Sequence, residues 1–252
     1  MARLMQHDLA PLLPTILPIV LHACTSNDGI EETPEDDDSD DENGIEQSTE
    51  DRLDGGTSSV NVNVGFLGEK DCAMECLGVI AKHCAPAMGP YLESSIEVLL
   101  NLCRYFHANI RETAVKAFAD FLDCLSTLYG WNVESAQAMP ENLEQFYKLC
   151  MQVIGNIIVN DSDSEPVEGA CGVVQHALKT LGLPPAYRDQ LTKGLIKVLN
   201  RGTRCFGVRE NDEEGDEHEL MLYTAASEAL VEWVRASVKS GTDCGGLVKQ
   251  IS

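Results

Sequence analysis

Aromatic side chains are scarce in this chain of 252 residues, where Phe, Trp and Tyr together account for 6% of the sequence. A β-sandwich draws on aromatic and β-branched residues, so this composition disfavours that fold. Hydrophobic residues nevertheless make up 44% of the chain, and Leu, Val, Ile, Ala and Cys are plentiful. Such a composition is typical of helices that pack through aliphatic faces, and we predict an all-α fold.

Basic residues are also few, with 18 Lys and Arg against 41 Asp and Glu, which gives a formal net charge of −23. Nearly all of this excess is local. Residues 28–54 hold fourteen acids and one base, residues 210–219 hold seven acids and no base, and the rest of the chain has a net charge of −3. These two segments are called the first and second acidic tracts below.

Acidic tracts repel nucleic acid and attract basic proteins, so we predict no direct nucleic-acid contact. The residues that we predict to bind basic cargo proteins are Asp36, Asp37, Asp38, Asp40, Asp41 and Glu42 in the first tract, and Glu213, Glu214, Asp216 and Glu217 in the second. Residues 27–65 hold few apolar side chains that could offset the entropy of ordering the backbone. We therefore expect much of this segment to be mobile.

The sequence motifs of the common enzyme classes are missing. The chain has no Gly-x-Ser-x-Gly, no His-Glu-x-x-His, no phosphate-binding loop and no Rossmann glycines, and its six histidines show no local pairing with acids. We predict that the protein is not an enzyme and uses no cofactor. An active site assembled from residues far apart in the sequence stays open as an alternative.

A calcium site is suggested only in part. Asp41, Asn43, Gly44 and Glu50 fall at positions 3, 5, 6 and 12 of an EF-hand loop, but Ser39 stands at the first position and neither flank has a helical pattern. We interpret the segment as a solvated acidic loop.

A zinc site is likewise suggested only in part. Cys72 and Cys76 lie one helical turn apart, with His83 and Cys84 further along. A tetrahedral zinc site needs ligands that converge from more than one element, and no paired Cys-x-x-Cys is present. We interpret these residues as ordinary helix cysteines and predict no metal site.

The ten cysteines are scattered singly along the chain, mostly on apolar helical faces. Reduced cysteines behave in this way as small hydrophobic residues, which indicates the cytosol or the nucleus. The apolar run from Leu9 to Ala23 contains three prolines and is too short for a membrane span. We predict no membrane insertion.

From Glu69 onward, apolar residues recur with a period of 3.6 residues in seven segments, which predicts seven amphipathic helices. Phe106 falls on the apolar stripe of the second helix, a loop through Gly130 and Pro140 separates the third from the fourth, and Gly182 ends the fifth. Every second helix repeats the same order of a small, a large and a further apolar residue. The sets are Ala73, Leu77 and Ile80; Ala114, Phe118 and Phe121; Ala170, Val174 and Ala177; and Ala226, Leu230 and Trp233.

The alanines of these sets are 41, 56 and 56 residues apart, near the HEAT period of about 40 to 47 once two insertions are allowed. One antiparallel helix pair cannot bury its apolar stripe alone and must stack on the next pair. We therefore predict a HEAT-repeat α-solenoid, with an ordinary helical bundle as the alternative. Four residues should be buried between adjacent helices: Phe118, Phe121, Ile154 and Ile157.

The predicted division of the chain follows from these patterns. It consists of the second helix of a preceding repeat (1–25), an acidic and partly disordered insert (26–68), three HEAT repeats (69–108, 109–160 and 161–206), an acidic loop (207–219) and the start of a further repeat (220–252). The chain thus reads as a segment of a longer solenoid.

Three stretches resemble the importin-β (karyopherin-β) family of nuclear import receptors: Gly68–His83, with the sequence GEKDCAMECLGVIAKH, Pro90–Glu93 and Phe106–Arg111. The nearest branch is the one that includes importin-4 and importin-5. In that branch an acidic insert precedes a helix that begins E-K-x-x-A, as the first tract precedes Glu69 here, and a second acidic insert lies two repeats later.

The resemblance implies a receptor that shuttles between cytoplasm and nucleus through the nuclear pore. It implies binding to basic cargo, such as histones, ribosomal proteins and nuclear localisation signals, and to Phe-Gly nucleoporins. Ran-GTP binding would belong to the full-length protein, because it uses N-terminal repeats that this segment lacks. The alternative is a HEAT scaffold subunit of a phosphatase or chromosome complex.

Overall fold

The computed structural model describes residues 9–27, 30–32, 60–62, 64–135, 137–206 and 213–242. Most of this part of the chain lies in eight helices: α1 (Leu13–Thr25), α2 (Val64–His83), α3 (Leu92–Leu102), α4 (Ala108–Leu128), α5 (Glu141–Asn160), α6 (Ser164–Thr180), α7 (Arg188–Leu199) and α8 (Glu213–Ser240). Two short strands, β1 (Ile30–Glu32) and β2 (Val60–Val62), pair antiparallel with Ile30 opposite Val62. Single helical turns at Ala10–Leu12, Ala85–Met88, Gly89–Tyr91 and Arg204–Phe206 join the longer elements.

The helices form two layers. In the even layer, α2, α4, α6 and α8 stack side by side, and each odd-numbered helix packs against the even-numbered helix that follows it. In the odd layer, α1 contacts α3, and α5 contacts α7. This is the arrangement of a HEAT-repeat solenoid. The predicted all-α fold class is confirmed, with the β1–β2 hairpin as a small addition.

The repeated alanines lie where helices of the even layer meet. Ala114, Ala170 and Ala226 have no exposed surface, so the helix backbones approach each other closely at these points. Gly78 serves the same purpose on α2, because a Cβ atom there would lie 2.9 Å from a carboxylate oxygen of Asp120 on α4.

The predicted core residues are buried. Phe118, Phe121 and Ile154 have no exposed surface, and Ile157 is 5% exposed. The ring of Phe146 on α5 lies 6.1 Å from that of Phe118 and 6.5 Å from that of Phe121. The expectation that these side chains fill the space between adjacent helices is confirmed.

Helix ends coincide with turn-forming residues. α4 ends before Gly130 and α8 before Gly241, and both glycines have positive φ, at 59° and 67°. The amide of the residue after each glycine donates to a carbonyl five residues back, Trp131 to Ser126 and Thr242 to Ser237, which satisfies the last carbonyls of the helix. The predicted loop between Gly130 and Pro140 joins α4 to α5.

Two expectations about boundaries were wrong. The acidic loop was placed at 207–219, but α8 begins at Glu213, because Glu is a good helix former and acids are stabilised near a helix N-terminus by the macrodipole. Phe106 was placed on the apolar stripe of the helix now seen as α3. That helix ends at Leu102, and Phe106 lies in the following turn, 37% exposed.

The remaining expectations about the insert lie outside the described residues. These are the mobility of residues 27–65 and the EF-hand-like segment around Asp41. Among the helices that the structure describes, none has the length and apolar character needed to cross a membrane.

Candidate functional site

The predicted cargo-binding residues fall into two groups. The residues of the first tract, Asp36 to Glu42, lie outside the described part of the chain. Glu213, Glu214, Asp216 and Glu217 belong to the first turns of α8 by their backbone. The structure therefore places the described part of the second tract on a helix of the even layer.

The connections that contain the acidic tracts begin and end at one edge of the solenoid. Successive helices run antiparallel, so the connections that join an odd-numbered helix to the next even-numbered one lie side by side. These connections are residues 26–63, 103–107, 161–163 and 200–212. The connections within a repeat, such as 129–140, lie on the opposite edge.

Lys70 joins the two helices on either side of the first insert. It follows Glu69 in the motif that carried the family resemblance. It is 1% exposed, and its ammonium donates to the carbonyls of Cys24 at 2.7 Å and Ser26 at 2.8 Å at the end of α1. The rings of Phe66 and Tyr105 lie 5.1 Å from the same ammonium. Burial lowers the pKa of Lys70, partly offset by the nearby Cys24. The lysine thus ties α1 to the start of α2.

Arg111 holds the next two connections together. Its guanidinium binds Asp161 through two hydrogen bonds of 2.9 and 3.0 Å, contacts Asp163, and donates to the carbonyls of Tyr105 and Phe106 at 2.9 Å each. In the sequence, Arg111 ends the Phe106–Arg111 stretch that carried the family resemblance, and nothing there indicated its acidic partners. This network fixes the start of α4 against the start of α6.

An acidic row crosses the open face of the odd layer, the side turned away from the even layer. It consists of Glu93 and Glu97 on α3, Glu141 on α5 and Asp189 on α7, all exposed and opposite the buried stripes of their helices. Each acid lies in the first or second turn of its helix, where the macrodipole favours negative charge. The row therefore has at least one acid on each of α3, α5 and α7, and on α7 the exposed Lys193 follows Asp189 by one turn.

An amide row runs beside the acidic row, nearer the C-terminal ends of the same helices. Its exposed members are Asn101 on α3, Gln152, Asn156 and Asn160 on α5, and Asn200 at the end of α7. The Asn160 amide donates to the Asn156 side-chain oxygen at 2.8 Å. On α3, Asn101 lies eight residues from Glu93 and four from Glu97, which is about 12 Å and about 6 Å along a helix.

The spacing of the rows suits an extended peptide that crosses the helices. The axes of packed helices, such as α5 and α7 here, lie about 8–10 Å apart, and an extended chain rises about 3.3 Å per residue. The step from α5 to α7 therefore corresponds to about three residues of such a peptide. Side-chain amides offer both donors and acceptors to its main chain, and the acidic row offers charge to its Lys or Arg side chains.

Sequence reasoning did not identify the residues of the two rows. The signal lay in the polar positions opposite the apolar stripes, such as Gln145, Gln152 and Asn156 on α5. The sequence alone does not show that these positions form a binding face, because polar residues occur on every solvent-exposed helix face and the sequence does not show which helices form the odd layer.

The suggested zinc ligands do not come together. Cys84 is buried at 2% exposure, whereas Cys72 and Cys76 are exposed on the other side of α2. Within the described ranges there is no group of three or more His, Cys, Asp or Glu side chains that could hold a metal ion.

Sequence comparison finds distant relatives, whereas no model of a known protein family matches the chain. Importin-4 of Homo sapiens is 28% identical over 183 residues, which is 69% of this chain and 17% of the human protein. Importin-4 of Mus musculus is 26% identical over 179 residues, 69% of this chain and 16% of the mouse protein. The chain thus spans less than a fifth of the length of these relatives.

Solved structures of the karyopherin Kap121p share the fold. Kap121p bound to the extreme C-terminus of the protein phosphatase Cdc14p has a TM-score of 0.71 at 18% identity, over 99% of this chain and 23% of that chain. Kap121p bound to Nup53p has a TM-score of 0.65 at 18% identity, over 93% and 22%. A Kap121p mutant with three acidic residues replaced by lysine has a TM-score of 0.65 at 18% identity, over 99% of this chain and 23% of that chain.

Proposed function

We propose that this chain, a member of the importin-β (karyopherin-β) family, is a segment of a nuclear import receptor that binds an extended basic segment of its cargo on the open face of the odd layer. The observation that carries the proposal is the repetition of the acidic row and the amide row over α3, α5 and α7. On α5 and α7, which contact each other, their spacing matches a peptide that crosses both helices.

The two rows bind different parts of the peptide. Amides on α3, α5 and α7 hydrogen-bond the peptide main chain, which positions it without regard to its sequence. The acidic row then favours Lys and Arg side chains. An exposed ion pair contributes only about 0–1 kcal/mol, so binding rests on several repeats acting together.

The relatives of this chain support the proposal. Kap121p, which shares the fold, has been solved with a terminal segment of Cdc14p bound. The three acidic residues replaced by lysine in the Kap121p mutant are spaced by roughly 40 residues, which is about one HEAT repeat. Glu97, Glu141 and Asp189 show a similar spacing here.

The acidic tracts supply long-range attraction to basic cargo such as histones and ribosomal proteins. Charges on solvated segments raise the rate of encounter more than they lengthen the bound state. Because the connections that contain the tracts begin and end at the edge next to the amide row, the tracts draw a basic segment towards the open face. The residues concerned are those of the first tract, Asp36 to Glu42, and Glu213, Glu214, Asp216 and Glu217.

The remaining partners of the receptor follow from its family. The full-length protein binds Ran-GTP and Phe-Gly nucleoporins and moves between cytoplasm and nucleus. A groove between α6 and α8, with a volume of about 450 Å³, has Val231 as the one apolar residue among its six lining residues. It suits Phe side chains poorly, so nucleoporin contacts belong on other surfaces.

Charge reversal on the open face tests the proposal. The variant Glu97→Lys/Glu141→Lys should weaken binding of a fluorescent Lys-rich peptide about tenfold or more, since each change replaces attraction by repulsion. The measurement is the dissociation constant by fluorescence anisotropy at low and physiological salt.

The matched control is Glu69→Lys/Glu75→Lys. Both residues are exposed on α2 in the even layer, and the variant has the same change in net charge. Binding should stay close to that of the unchanged protein, apart from a small salt-dependent loss. An equal loss of affinity in both variants would show that net charge alone attracts the peptide and that the open face is not the binding site.

A further inference from the structure

The charge of the odd layer changes sign along the solenoid. α3 holds two acids and no base, α5 holds two acids and one base, and α7 holds one acid and three bases. The net charges of these three helices are therefore −2, −1 and +2. A chain with a formal net charge of −23 thus includes a basic helix in the layer that carries the open face.

Two of the three bases on α7, Lys193 and Lys197, lie on the open face itself. Both are exposed, and both lie on the side of the helix opposite Leu195, which has no exposed surface. The third base, Arg188, instead donates to the carbonyl of Pro184 at 2.6 Å. Side chains four residues apart have Cβ atoms about 5–6 Å apart, so the two ammonium groups can reach the same carboxylate.

The acids of the same face do not neutralise the two lysines. On α5, Lys148 pairs at 2.6 Å with Glu144, which lies four residues before it. Asp189 lies at the same spacing before Lys193. Within the described part of the chain, however, neither Lys193 nor Lys197 forms an ion pair. Their positive charge is therefore available to a ligand.

The two lysines lie beside the amide row. A Cβ atom at Gly194 would lie 3.1 Å from the side chain of Ile158, so α7 meets α5 at this level. Asn156 and Asn160 lie two residues before and after Ile158, and Lys193 directly precedes Gly194. A peptide held by these amides therefore reaches the lysines after about three residues.

A further repeat stacked on α7 would leave this surface open. Gly194 faces α5, whereas the half-buried Ile196 and Leu199 lie on the other flank of α7. Stacking in a solenoid covers the flanks of a helix, so a further repeat would cover Ile196 and Leu199. Lys193 and Lys197 point away from the even layer and would stay exposed.

We propose that Lys193 and Lys197 bind an acidic side chain, Asp or Glu, of a cargo segment whose basic side chains lie towards α3 and α5. This site rests on the cargo-binding function proposed above and adds a direction to it, with the acidic end of the segment over α7. Side-chain amides offer donors and acceptors alike, so they accept either chain direction. The change in charge along the face then decides how the segment lies, and it favours segments whose basic and acidic residues form separate blocks.

Two peptides of the same composition test this selection. In the block peptide a run of lysines is followed by two aspartates, and in the mixed peptide the two aspartates are placed among the lysines. Both have the same net charge, so the acidic tracts attract them equally. The unchanged chain should bind the block peptide about fivefold more tightly at low salt, a modest factor because exposed ion pairs are individually weak. Fluorescence anisotropy measures both dissociation constants.

The variant Lys193→Glu/Lys197→Glu should lose this preference, because the aspartates are then repelled. The matched control is Lys179→Glu/Lys239→Glu, which changes two exposed lysines of α6 and α8 in the even layer and has the same change in net charge. The control should keep the preference, and circular dichroism checks that both variants keep their helix content. Equal binding of the two peptides by the unchanged chain, or a preference that survives in Lys193→Glu/Lys197→Glu, would overturn the proposal.

A peptide of lysines alone separates this site from the proposed function. If Glu97→Lys/Glu141→Lys weakens binding of that peptide while the block and mixed peptides bind equally to the unchanged chain, only the lysine site is overturned. If Glu97→Lys/Glu141→Lys leaves that binding unchanged, the proposed cargo site fails and the lysine site fails with it.

Discussion

Phe121 is a single residue on which the packing of the helix pair α4–α5 depends. It has no exposed surface and lies between α4 and α5, with its ring 6.5 Å from that of Phe146. Replacing it with Ala should lower the free energy of unfolding by about 3–5 kcal/mol, because a large cavity is left in a tightly packed site. Denaturant titration measures this loss.

The matched control for this change is Phe206→Ala. Phe206 is partly exposed and stacks on Tyr223 at 5.8 Å, so its removal leaves no enclosed cavity and should cost clearly less. A loss of less than about 1 kcal/mol for Phe121→Ala would mean that the site collapses around the smaller side chain.

Single residues also show what the sequence can and cannot predict. Ile154 and Ile157 were placed in the core because a period of 3.6 residues fixes which side of a helix is apolar. The partners of Arg111 were not found, because Asp161 lies 50 residues away and nothing local indicates such a pair. Local periodicity thus predicts which residues are buried, whereas polar contacts between distant residues depend on how the repeats stack.

At the scale of helices, a polar cluster links three members of the even layer. The ammonium of Lys82 on α2 lies 3.1 Å from Asp120 and 3.0 Å from Asp123 on α4, and Nε2 of His176 on α6 lies 2.7 Å from Asp123. Burial raises the pKa of Asp123, but hydrogen bonds from His176 and Lys82 outweigh it, so the pKa is lowered below 3.8. Asp123 therefore stabilises the stack as a carboxylate.

The pH dependence follows from the sign of this shift. A carboxyl group whose pKa is lower in the folded state stabilises the protein above its unfolded pKa, near 3.8, and this contribution is lost as pH falls through the folded value. Asp123→Asn should lower the denaturation midpoint at pH 7 and reduce its further fall in acid. Chemical denaturation from pH 7 to pH 3 measures both effects.

The control for the pH experiment is Glu134→Gln, which changes a carboxylate in the α4–α5 loop with no part in the cluster. It should leave the acid profile unchanged. If Asp123→Asn has the same acid profile as the unchanged protein, the cluster does not stabilise the stack in the manner described.

Helix boundaries were predicted well where turn residues mark them and poorly where a helix begins within a run of charged residues. Gly130, Pro140 and Gly182 separate helices in both the sequence pattern and the structure. The start of α8 was missed because a run of acids reads as a solvated loop, although Glu favours the first turns of a helix. Composition alone therefore could not place this boundary.

At the scale of the whole molecule, the acidic tracts are predicted to act on the capture of cargo. Replacing Asp36, Asp37, Asp38, Asp40, Asp41 and Glu42 with Asn or Gln should lower the on-rate for a histone tail and reduce its salt sensitivity. Attraction between solvated charges weakens over a Debye length of about 8 Å at physiological salt, and it acts mainly on encounter. Stopped-flow kinetics at two salt concentrations measure the effect.

The off-rate and the helix content should change little in this variant, because the first tract is an insert between repeats. Unaltered association at low salt would make the tract a spacer and would leave the open face of the odd layer to attract cargo unaided.

The two-layer fold was predictable from the sequence because alanines recur at the positions where stacked helix pairs approach each other closely. The binding face was not, since it exists only once α3, α5 and α7 are stacked on the same side of the even layer. Glu97 and Glu141 are 44 positions apart in the sequence, yet the stacking brings their helices into one face. A site of this kind is a property of the stack and not of any one segment.

Cross-linking tests the central claim most directly. A Lys-rich peptide with a photoreactive side chain at its centre is bound to the full chain, irradiated, and mapped by mass spectrometry. We predict cross-links to exposed positions of α3, α5 and α7, near Asn101, Gln152 and Asn156. An excess of the same peptide without the photoreactive group should compete for the site and abolish these cross-links. Cross-links confined to the even layer or to the acidic tracts would contradict it.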